Sequence, residues 1–263
     1  MNLIIENRRG ETLNIESYNG RPEPTSFKVE RERLKKFGQY GIVSKGDGLV
    51  SDRSIQIRYD VIAERDINYD EILNTIASFF DVEDEPFYLV NLDTQKRCQV
   101  SLENIEENFS EGLAKRVGIG CKLGLKMESA LWEERTETIV SETILNNGTI
   151  VILLPENAKE TYPIFEVVSL DAGINSDFAL ILNNTRTGFS SAIRIKDSNF
   201  SQNSTMVIDG VEGKVTTNGV LANIKVSDGN FFPFKKGENI ITYQSVNGQA
   251  VTITAKYRVR TML

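Results

Sequence analysis

Apolar and polar residues alternate strictly from Ser54 to Glu64, which is the clearest pattern in the first half of the chain. A period of two places alternate side chains on opposite faces, so the segment predicts a β-strand with one buried face. After it, the apolar residues follow a helical period and form a single stripe, made of Ile72, Leu73, Ile76, Phe79 and Phe80. Asn68 and Glu71 are spaced like a capping box at the start of this helix, and the acidic residues from Asp81 to Glu85, with Pro86, end it.

Three further strands are predicted before the middle of the chain, at Phe87–Val90, Arg97–Leu102 and Val117–Met127. The last one has apolar residues on one face and three glycines on the other, namely Gly118, Gly120 and Gly124. A strand face without side chains lets another backbone approach closely. We therefore expect a close neighbour on the glycine face.

The second half of the chain shows only short strand patterns, separated by clusters of Gly, Asn and Asp. They lie at Thr149–Leu154, Pro163–Val168, Phe178–Leu182, Ala192–Lys196, Thr205–Ile208 and Lys214–Thr217. Two longer strands, Asn239–Val246 and Ala250–Met262, flank Asn247-Gly248, a pair favoured in type I′ turns, and so predict a closing hairpin. This spacing of strands and turns is typical of a β-sandwich.

Charge divides the chain near residue 136. Residues 1–136 contain 19 Lys and Arg against 25 Asp and Glu, whereas residues 137–263 contain 11 against 12. A length of 263 residues fits two domains. We therefore predict an N-terminal α+β domain over residues 1–136 and an all-β domain over residues 137–263. Between Asn19 and Gly48, frequent Pro and Gly around a charged run predict a long arm or loop.

Several classes of function are excluded by composition. The chain has no histidine, so it has no Ser-His-Asp triad, Cys-His pair or imidazole-ligated zinc. Cys98 and Cys121 leave two alternatives, a single disulfide or two buried thiols, of which we favour the thiols. No apolar run of about 18 residues is present, and the first residues are charged, so neither a membrane span nor a secretory signal is expected. The formal charge of −7 disfavours a protein that coats nucleic acid.

Four local patterns suggest chemistry, and each has a simpler structural explanation. The Gly118–Gly124 segment lacks dinucleotide-fingerprint spacing and lies in a predicted strand. Asp66–Asp70 starts like a calcium loop but lacks its glycine and its last acid, so helix capping explains it better. Asp81–Glu85 could supply a carboxylate pair, yet a solvated loop is favoured. The aromatic residues that could stack on a sugar are better explained by core packing; they are Phe231, Phe232, Phe234 and Trp132.

The linear order of several short motifs resembles the distal tail protein (Dit) family of long-tailed, non-contractile bacteriophages and their prophages. An α+β unit with one helix is followed by Pro86-Phe87-Tyr88-Leu89 and the exit segment Leu131-Trp132-Glu133. The all-β unit then contains Val207-Ile208-Asp209-Gly210, a segment from Gly213 to Asn218-Gly219, Phe234-Lys-Lys-Gly237-Glu238-Asn239-Ile240, and a terminal strand with Tyr257-Arg258. The most distinctive members are Gly237, Glu238, Asn239, Tyr257 and Arg258.

The resemblance implies a structural virion protein at the tip of the tail, assembled in the bacterial cytoplasm. Family members combine an N-terminal belt domain related to tail-tube subunits with a C-terminal galectin-like β-sandwich, and six copies form a ring. The ring joins the tail tube to the tail-associated tip protein and in many phages carries receptor-binding proteins, while DNA passes through its lumen. No catalytic residue, cofactor or metal is implied. For the ring interface we expect the glycine face with Gly118, Gly120 and Gly124, together with the arm.

Two other functions remain as alternatives. The first is a monomeric carbohydrate-binding or adhesion module built on the C-terminal sandwich. The second is a hydrolase that uses the carboxylates of Asp81–Glu85. A ring or self-association in solution is expected only for the tail component.

Overall fold

The structure, a computed structural model, describes most of the chain. The described residues are 2–14, 20–24, 29–30, 33–34, 43–44, 49–50, 53–61, 69–108, 119–127, 131–171, 177–222 and 225–262. The chain forms two compact units, Met1–Arg135 and Thr136–Leu263. Strands dominate both units, and within the described residues there is one α-helix, so the predicted mainly β fold is confirmed.

The N-terminal unit contains twelve of the strands that the structure describes and the helix. They are β1 (Leu3–Glu6), β2 (Thr12–Asn14), β3 (Gly20–Pro24), β4 (Val29–Glu30), β5 (Arg33–Leu34), β6 (Val43–Ser44), β7 (Leu49–Val50), β8 (Arg53–Val61), α1 (Tyr69–Phe79), β9 (Phe87–Asn91), β10 (Lys96–Asn108), β11 (Ile119–Met127) and β12 (Leu131–Glu134). A short 3₁₀ turn lies at Val82–Asp84.

Most of these strands form one antiparallel sheet, in the order β2-β1-β9-β10-β11-β8-β3. The 13-residue strand β10 is its long central member, and it pairs with β12 near its start and with β11 farther along. The strands predicted from the patterns at residues 54–64, 87–90, 97–102 and 117–127 are confirmed within the described residues. β1 was not predicted, although Leu3 and Ile5 are buried in it.

One hydrophobic core holds the helix against this sheet. Ile76 is fully buried, Phe80 nearly so, and the rings of Phe79 and Phe80 contact Phe87 on β9. The predicted helix and its apolar stripe are thus confirmed for Ile76, Phe79 and Phe80; the proposed cap at Asn68 lies outside the described residues. In the same core, Leu123 and Leu125 of β11 are fully buried.

The segment predicted to be an arm or loop contains strand pairs in the part that the structure describes. β4 pairs with β7, and β5 pairs with β6, both antiparallel. The other residues between 25 and 48 lie outside the described residues.

The C-terminal unit contains thirteen strands among its described residues. They are β13 (Thr138–Ile144), β14 (Gly148–Leu154), β15 (Ala158–Lys159), β16 (Ile164–Ser169), β17 (Asp177–Asn184), β18 (Ser190–Lys196), β19 (Thr205–Asp209), β20 (Lys214–Thr217), β21 (Val220–Leu221), β22 (Val226–Gly229), β23 (Gly237–Ser245), β24 (Val251–Tyr257) and β25 (Arg260–Met262).

Two sheets form a sandwich in this unit. One has the order β13-β24-β16-β19-β20-β21 and the other, here called the second sheet, the order β14-β23-β17-β18-β22. A single core draws on both, with Phe165 and Ile253 from the first sheet and Leu180 and Tyr243 from the second. Alternate residues of each strand face this core, as the sequence pattern requires. The sandwich is confirmed, whereas its galectin-like character stays a prediction.

The predicted closing hairpin at Asn247-Gly248 is wrong. β23 belongs to the second sheet and β24 to the first, so the turn carries the chain from one sheet to the other. Of the two residues, only Gly248 has a positive φ, whereas a type I′ turn needs positive φ at both positions. That geometry occurs instead at Asn218 and Gly219, with φ of 49° and 79°, where β20 and β21 form a tight hairpin.

Among the residues that the structure describes, no helix has the length and apolar character needed to span a membrane.

Candidate functional site

The segment from Phe234 to Asn239, the most distinctive part of the resemblance, folds around a buried carboxamide. Asn239 lies at the start of β23 and is fully buried. Its Oδ1 accepts hydrogen bonds from the Lys235 amide at 2.9 Å and from Asn184 Nδ2 at 3.0 Å. Its Nδ2 donates to the carbonyl oxygens of Lys235 at 2.7 Å and Gly237 at 3.1 Å. Both atoms of the amide are therefore satisfied within the protein, as a buried polar group requires.

Asn184, at the end of β17, extends this network. Its Nδ2 also donates to the carbonyl of Lys236 at 3.1 Å, while its Oδ1 accepts from the amide and the hydroxyl of Thr187, both at 2.8 Å. The two asparagines thus join the loop before β23 to the turn after β17. Asn184 was not among the residues predicted from the sequence. Its one local signal is a threonine three residues on, Thr187, whose amide and hydroxyl both donate to the Asn184 side chain.

Gly237 and Glu238 serve the same turn. Gly237 has a φ of +83°, and a Cβ there would lie 2.7 Å from Cβ of Arg186, so the position excludes larger residues. The carbonyl oxygen of the half-buried Glu238 accepts a hydrogen bond from Thr185 at 3.1 Å.

Tyr257 and Arg258 lie at the end of β24. Tyr257 is almost fully buried, and its ring meets Phe234 edge-to-face at 5.4 Å between ring centres. Arg258 is half-buried. Phe234 thus links these residues to the Asn239 loop, so the structure brings the five motif residues into one region. The contacts described for this region are those of a packed structural element.

Two other motifs of the resemblance are also structural. Phe87, Leu89 and Trp132 are buried in the N-terminal core, and next to Trp132 the Glu133 carboxylate pairs with Arg97 at 2.9 Å. Asp209 accepts hydrogen bonds from the amides of Val211 and Glu212 and so closes the turn between β19 and β20.

The three glycines proposed for the ring interface differ in their surroundings, as far as the structure describes them. Gly118 lies outside the described residues. Gly120 is paired with Asp60 of β8 on one side and Asn108 of β10 on the other, so both edges of β11 are occupied within the chain. Gly124 is buried, and its close neighbour is the side-chain amide of Asn104, next to an irregularity in β10. The group that approaches Gly124 is thus a side chain of the same subunit, and a ring contact at this face stays a prediction.

The acidic residues from Asp81 to Glu85 are spread over the turn after the helix. Asp84 is buried and its Oδ1 lies 2.6 Å from Nε of Arg9, whereas Asp81 accepts a hydrogen bond from the Glu83 amide. Glu83 and Glu85 are exposed. The turn therefore positions one carboxylate in an ion pair and one as a cap.

The aromatic side chains proposed as alternatives for sugar stacking are mostly inside the protein. Phe232, Phe234 and Trp132 are at most 3% exposed, and Phe231 is half-buried against the core of the sandwich. Core packing, the favoured interpretation, is confirmed for these residues. Cys98 is a buried free thiol, as favoured; the side chain of Cys121 lies outside the described residues.

One surface carboxylate has a clearly perturbed acidity. Asp177, at the start of β17, faces Arg194 on β18 and accepts two hydrogen bonds from its guanidinium, at 2.8 and 3.0 Å. These bonds, with the nearby charges of Arg194 and Lys196, hold the pKa of Asp177 below its ordinary value.

Comparison with known protein families gives a match within the C-terminal unit. Residues 158–260 match the family described as siphovirus-type tail component, C-terminal domain. No curated protein has a matching sequence.

The fold of the whole chain is similar to that of solved phage proteins. One is the crystal structure of the Dit protein of phage SPP1, which matches with a TM-score of 0.65 and 12% sequence identity. The match covers 97% of this chain and 98% of the SPP1 chain. The SPP1 protein is described as a paradigm of the hub adsorption apparatus in phages that infect Gram-positive bacteria. A chain of the phage P2 baseplate, in its activated conformation with Ca, matches with a TM-score of 0.53 and 10% sequence identity. This match covers 100% of this chain and 98% of the baseplate chain. Residues 158–260 thus match the siphovirus-type tail component family, and the chain as a whole has a fold similar to that of the SPP1 Dit protein.

Proposed function

We propose that the protein is the distal tail protein of a long-tailed phage or prophage and that six copies form a ring at the tail tip. The carrying observation is the similarity to the SPP1 protein, because it extends over both units and nearly the full length of both chains. A sandwich alone would be weak evidence, since unrelated functions share that fold.

If the protein lies at the tip of the tail, its partners are the tail components on either side of it. The N-terminal unit forms the ring and meets the tail tube on one side and the tail-associated tip protein on the other. The C-terminal unit, with a galectin-like sandwich, faces outward and carries receptor-binding proteins. The protein is assembled in the host cytoplasm and resides in the virion, and DNA passes through the ring without specific binding.

The proposed role is structural and not enzymatic. Support comes from the polar residues of the family motif, because the Asn239 and Asn184 amides are saturated by protein partners. Among the acids of the helix-to-strand turn, Asp84 is paired with Arg9. A catalytic carboxylate pair needs both groups directed at a substrate, and the ion pair of Asp84 removes one of the four candidate acids.

Native mass spectrometry of the purified full-length protein, with negative-stain imaging, tests the proposal. We expect a particle with the mass of six chains and a ring with a central hole. A monomer at every concentration, together with saturable binding to glycans, would instead support the carbohydrate-binding alternative.

A further inference from the structure

The first strand of the second sheet, β14, has an unprotected outer edge. Within the described residues its one strand partner is β23, so the other edge has no strand beside it. Its sequence, Gly-Thr-Ile-Val-Ile-Leu-Leu, contains no charge and no proline. Val151 and Leu153 point away from the core and are 55% and 74% exposed. An uncharged edge of this kind pairs readily with another extended chain.

Four other outer strands carry features that discourage pairing, and the outer strand β2 has only three residues. β3 contains Pro22 and Pro24, which have no N–H to donate. β22 contains exposed Asp228 and a register shift, and β13 contains exposed Glu142. β21 has only two residues. The lack of such protection at β14 therefore indicates an edge that is covered when the protein functions.

The exposed face beside this edge is also apolar. Val151 lies opposite Ile240 on β23, and Ile181 on β17 is diagonal to Ile240 across the next pair. Ile240 and Ile181 are half-buried and face outward with Val151. A strand added to β14 would thus find apolar neighbours for every second side chain.

The dimensions of this edge favour a peptide segment over a second folded copy. A seven-residue strand is about 23 Å long and a sheet edge about 10 Å deep, which gives a few hundred Å². A stable contact between folded proteins covers about 800 Å² on each partner. An extended segment needs less area because it forms a full ladder of main-chain hydrogen bonds. A two-fold pairing of β14 with itself is also incompatible with contacts inside a cyclic ring.

We propose that β14 binds an extended segment of a different protein by strand addition, with uncharged β-branched or leucine side chains at the positions that contact Val151, Leu153 and Ile240. The identification of the binding partner as another tail component rests on the proposed function. The assignment of β14 as a binding edge does not depend on the proposed function.

Fluorescence anisotropy with the full-length protein tests this edge directly. The probe is a labelled, end-capped peptide with seven alternating valine and threonine residues, matched to β14 and flanked by lysines for solubility. We expect saturable binding that Val151→Lys and Leu153→Lys each weaken at least about tenfold. Ile139→Lys is the matched control, because Ile139 is 59% exposed on the other sheet, and it should leave the affinity unchanged. A probe N-methylated on alternate amides should not bind.

Three results would overturn the inference: no saturable binding of the probe, equal binding of the N-methylated probe, or equal weakening by Ile139→Lys. Native mass spectrometry of the same variants separates this inference from the proposed ring. If Val151→Lys alone dissociates an oligomer, the occupant is a second copy and the inference is wrong. If the wild-type chain binds the probe but never forms a ring, the proposed function fails and the β14 edge stands. Circular dichroism confirms that each variant is folded.

Discussion

At the scale of single residues, the stability of the C-terminal unit depends on a few polar side chains that have no access to solvent. The fully buried side chain of Asn239 takes part in five hydrogen bonds, two that it accepts and three that it donates. A buried amide of this kind contributes little net energy while it is paired, but leaves several unsatisfied groups when it is removed. The loop before β23 is therefore sensitive to one substitution.

Replacement of Asn239 by Ala should lower the free energy of unfolding by about 2–3 kcal/mol, because backbone groups of Lys235 and Gly237 lose their partners. Urea denaturation of the full-length protein measures the change. Asn183→Ala, an exposed asparagine next to the network, is the control and should cost less than about 0.5 kcal/mol. Equal effects of the two substitutions would contradict the role of the network.

Substitutions at Gly237 and Gly188 distinguish two ways in which an added Cβ lowers the free energy of unfolding, backbone strain and steric crowding. Both have positive φ, but a Cβ at Gly237 would meet Arg186, whereas a Cβ at Gly188 would meet nothing within 4 Å. We expect Gly188→Ala to cost about 1–2 kcal/mol from backbone strain alone, and Gly237→Ala to cost more. Thermal unfolding of the two variants checks the order, and a larger loss for Gly188→Ala would show that crowding at Gly237 is unimportant.

The ion pair of Asp177 with Arg194 predicts a stability that depends on pH. Since the folded-state pKa of Asp177 lies below its unfolded-state value, the pair stabilises the protein above the unfolded pKa of about 3.9. This contribution is lost as the pH falls through the folded-state pKa. Asp177→Asn should therefore lower the urea midpoint at neutral pH by a small amount, and the difference from wild type should shrink in acid. Glu142→Gln is the control, and a difference for Asp177→Asn that stays constant with pH would contradict the assignment.

At the scale of elements, β11 shows how the same glycines serve folding and, by our proposal, assembly. Its two edges are occupied by β8 and β10, so a neighbouring subunit can contact only its face. Gly124 is already covered by Asn104 of the same chain. Gly120 is therefore the better position at which to test an interface.

Gly120→Val should reduce the fraction of chains in the ring while leaving the isolated subunit folded, because a branched side chain would hold a neighbouring surface away. Native mass spectrometry gives the ring fraction, and thermal unfolding confirms the fold. Ser141→Val, which also adds a valine to a strand but in the other unit, should leave the ring unchanged. An unaltered ring in Gly120→Val would remove this face from the interface.

Two of the four Asn-Gly dipeptides in the chain show a limit of short sequence motifs. Asn218-Gly219 and Asn247-Gly248 are the same dipeptide, yet one closes a hairpin and the other connects two sheets. Both Asn and Gly tolerate left-handed backbone, which permits a type I′ turn without requiring it. The difference comes from the partners of the flanking strands, which are distant in sequence.

At the scale of the whole molecule, the acidity of the first 136 residues bears on the proposed passage of DNA. Their net charge is −6, from 19 bases and 25 acids. A negative lumen would repel the phosphate backbone and prevent the genome from adhering to the ring. Electron cryomicroscopy of the assembled ring should show more Asp and Glu than Lys and Arg along the channel. A lumen lined mainly by basic side chains would contradict the prediction.

Much of the fold follows from the sequence by itself. The alternation at residues 53–61, the stripe that buries Ile76 and Phe80, and the short strands after residue 137 are all encoded by local hydrophobic period, which needs no knowledge of partners. The missing histidines excluded several classes of enzyme, and the order of the motifs carried the resemblance to the distal tail protein family. The tertiary structure decided the rest: the pairing of Asn184 with Asn239, the sheet to which each strand belongs, and the open edge of β14. These features join residues far apart in the chain, and a one-dimensional pattern shows which face of a strand is buried but not which strand lies beside it.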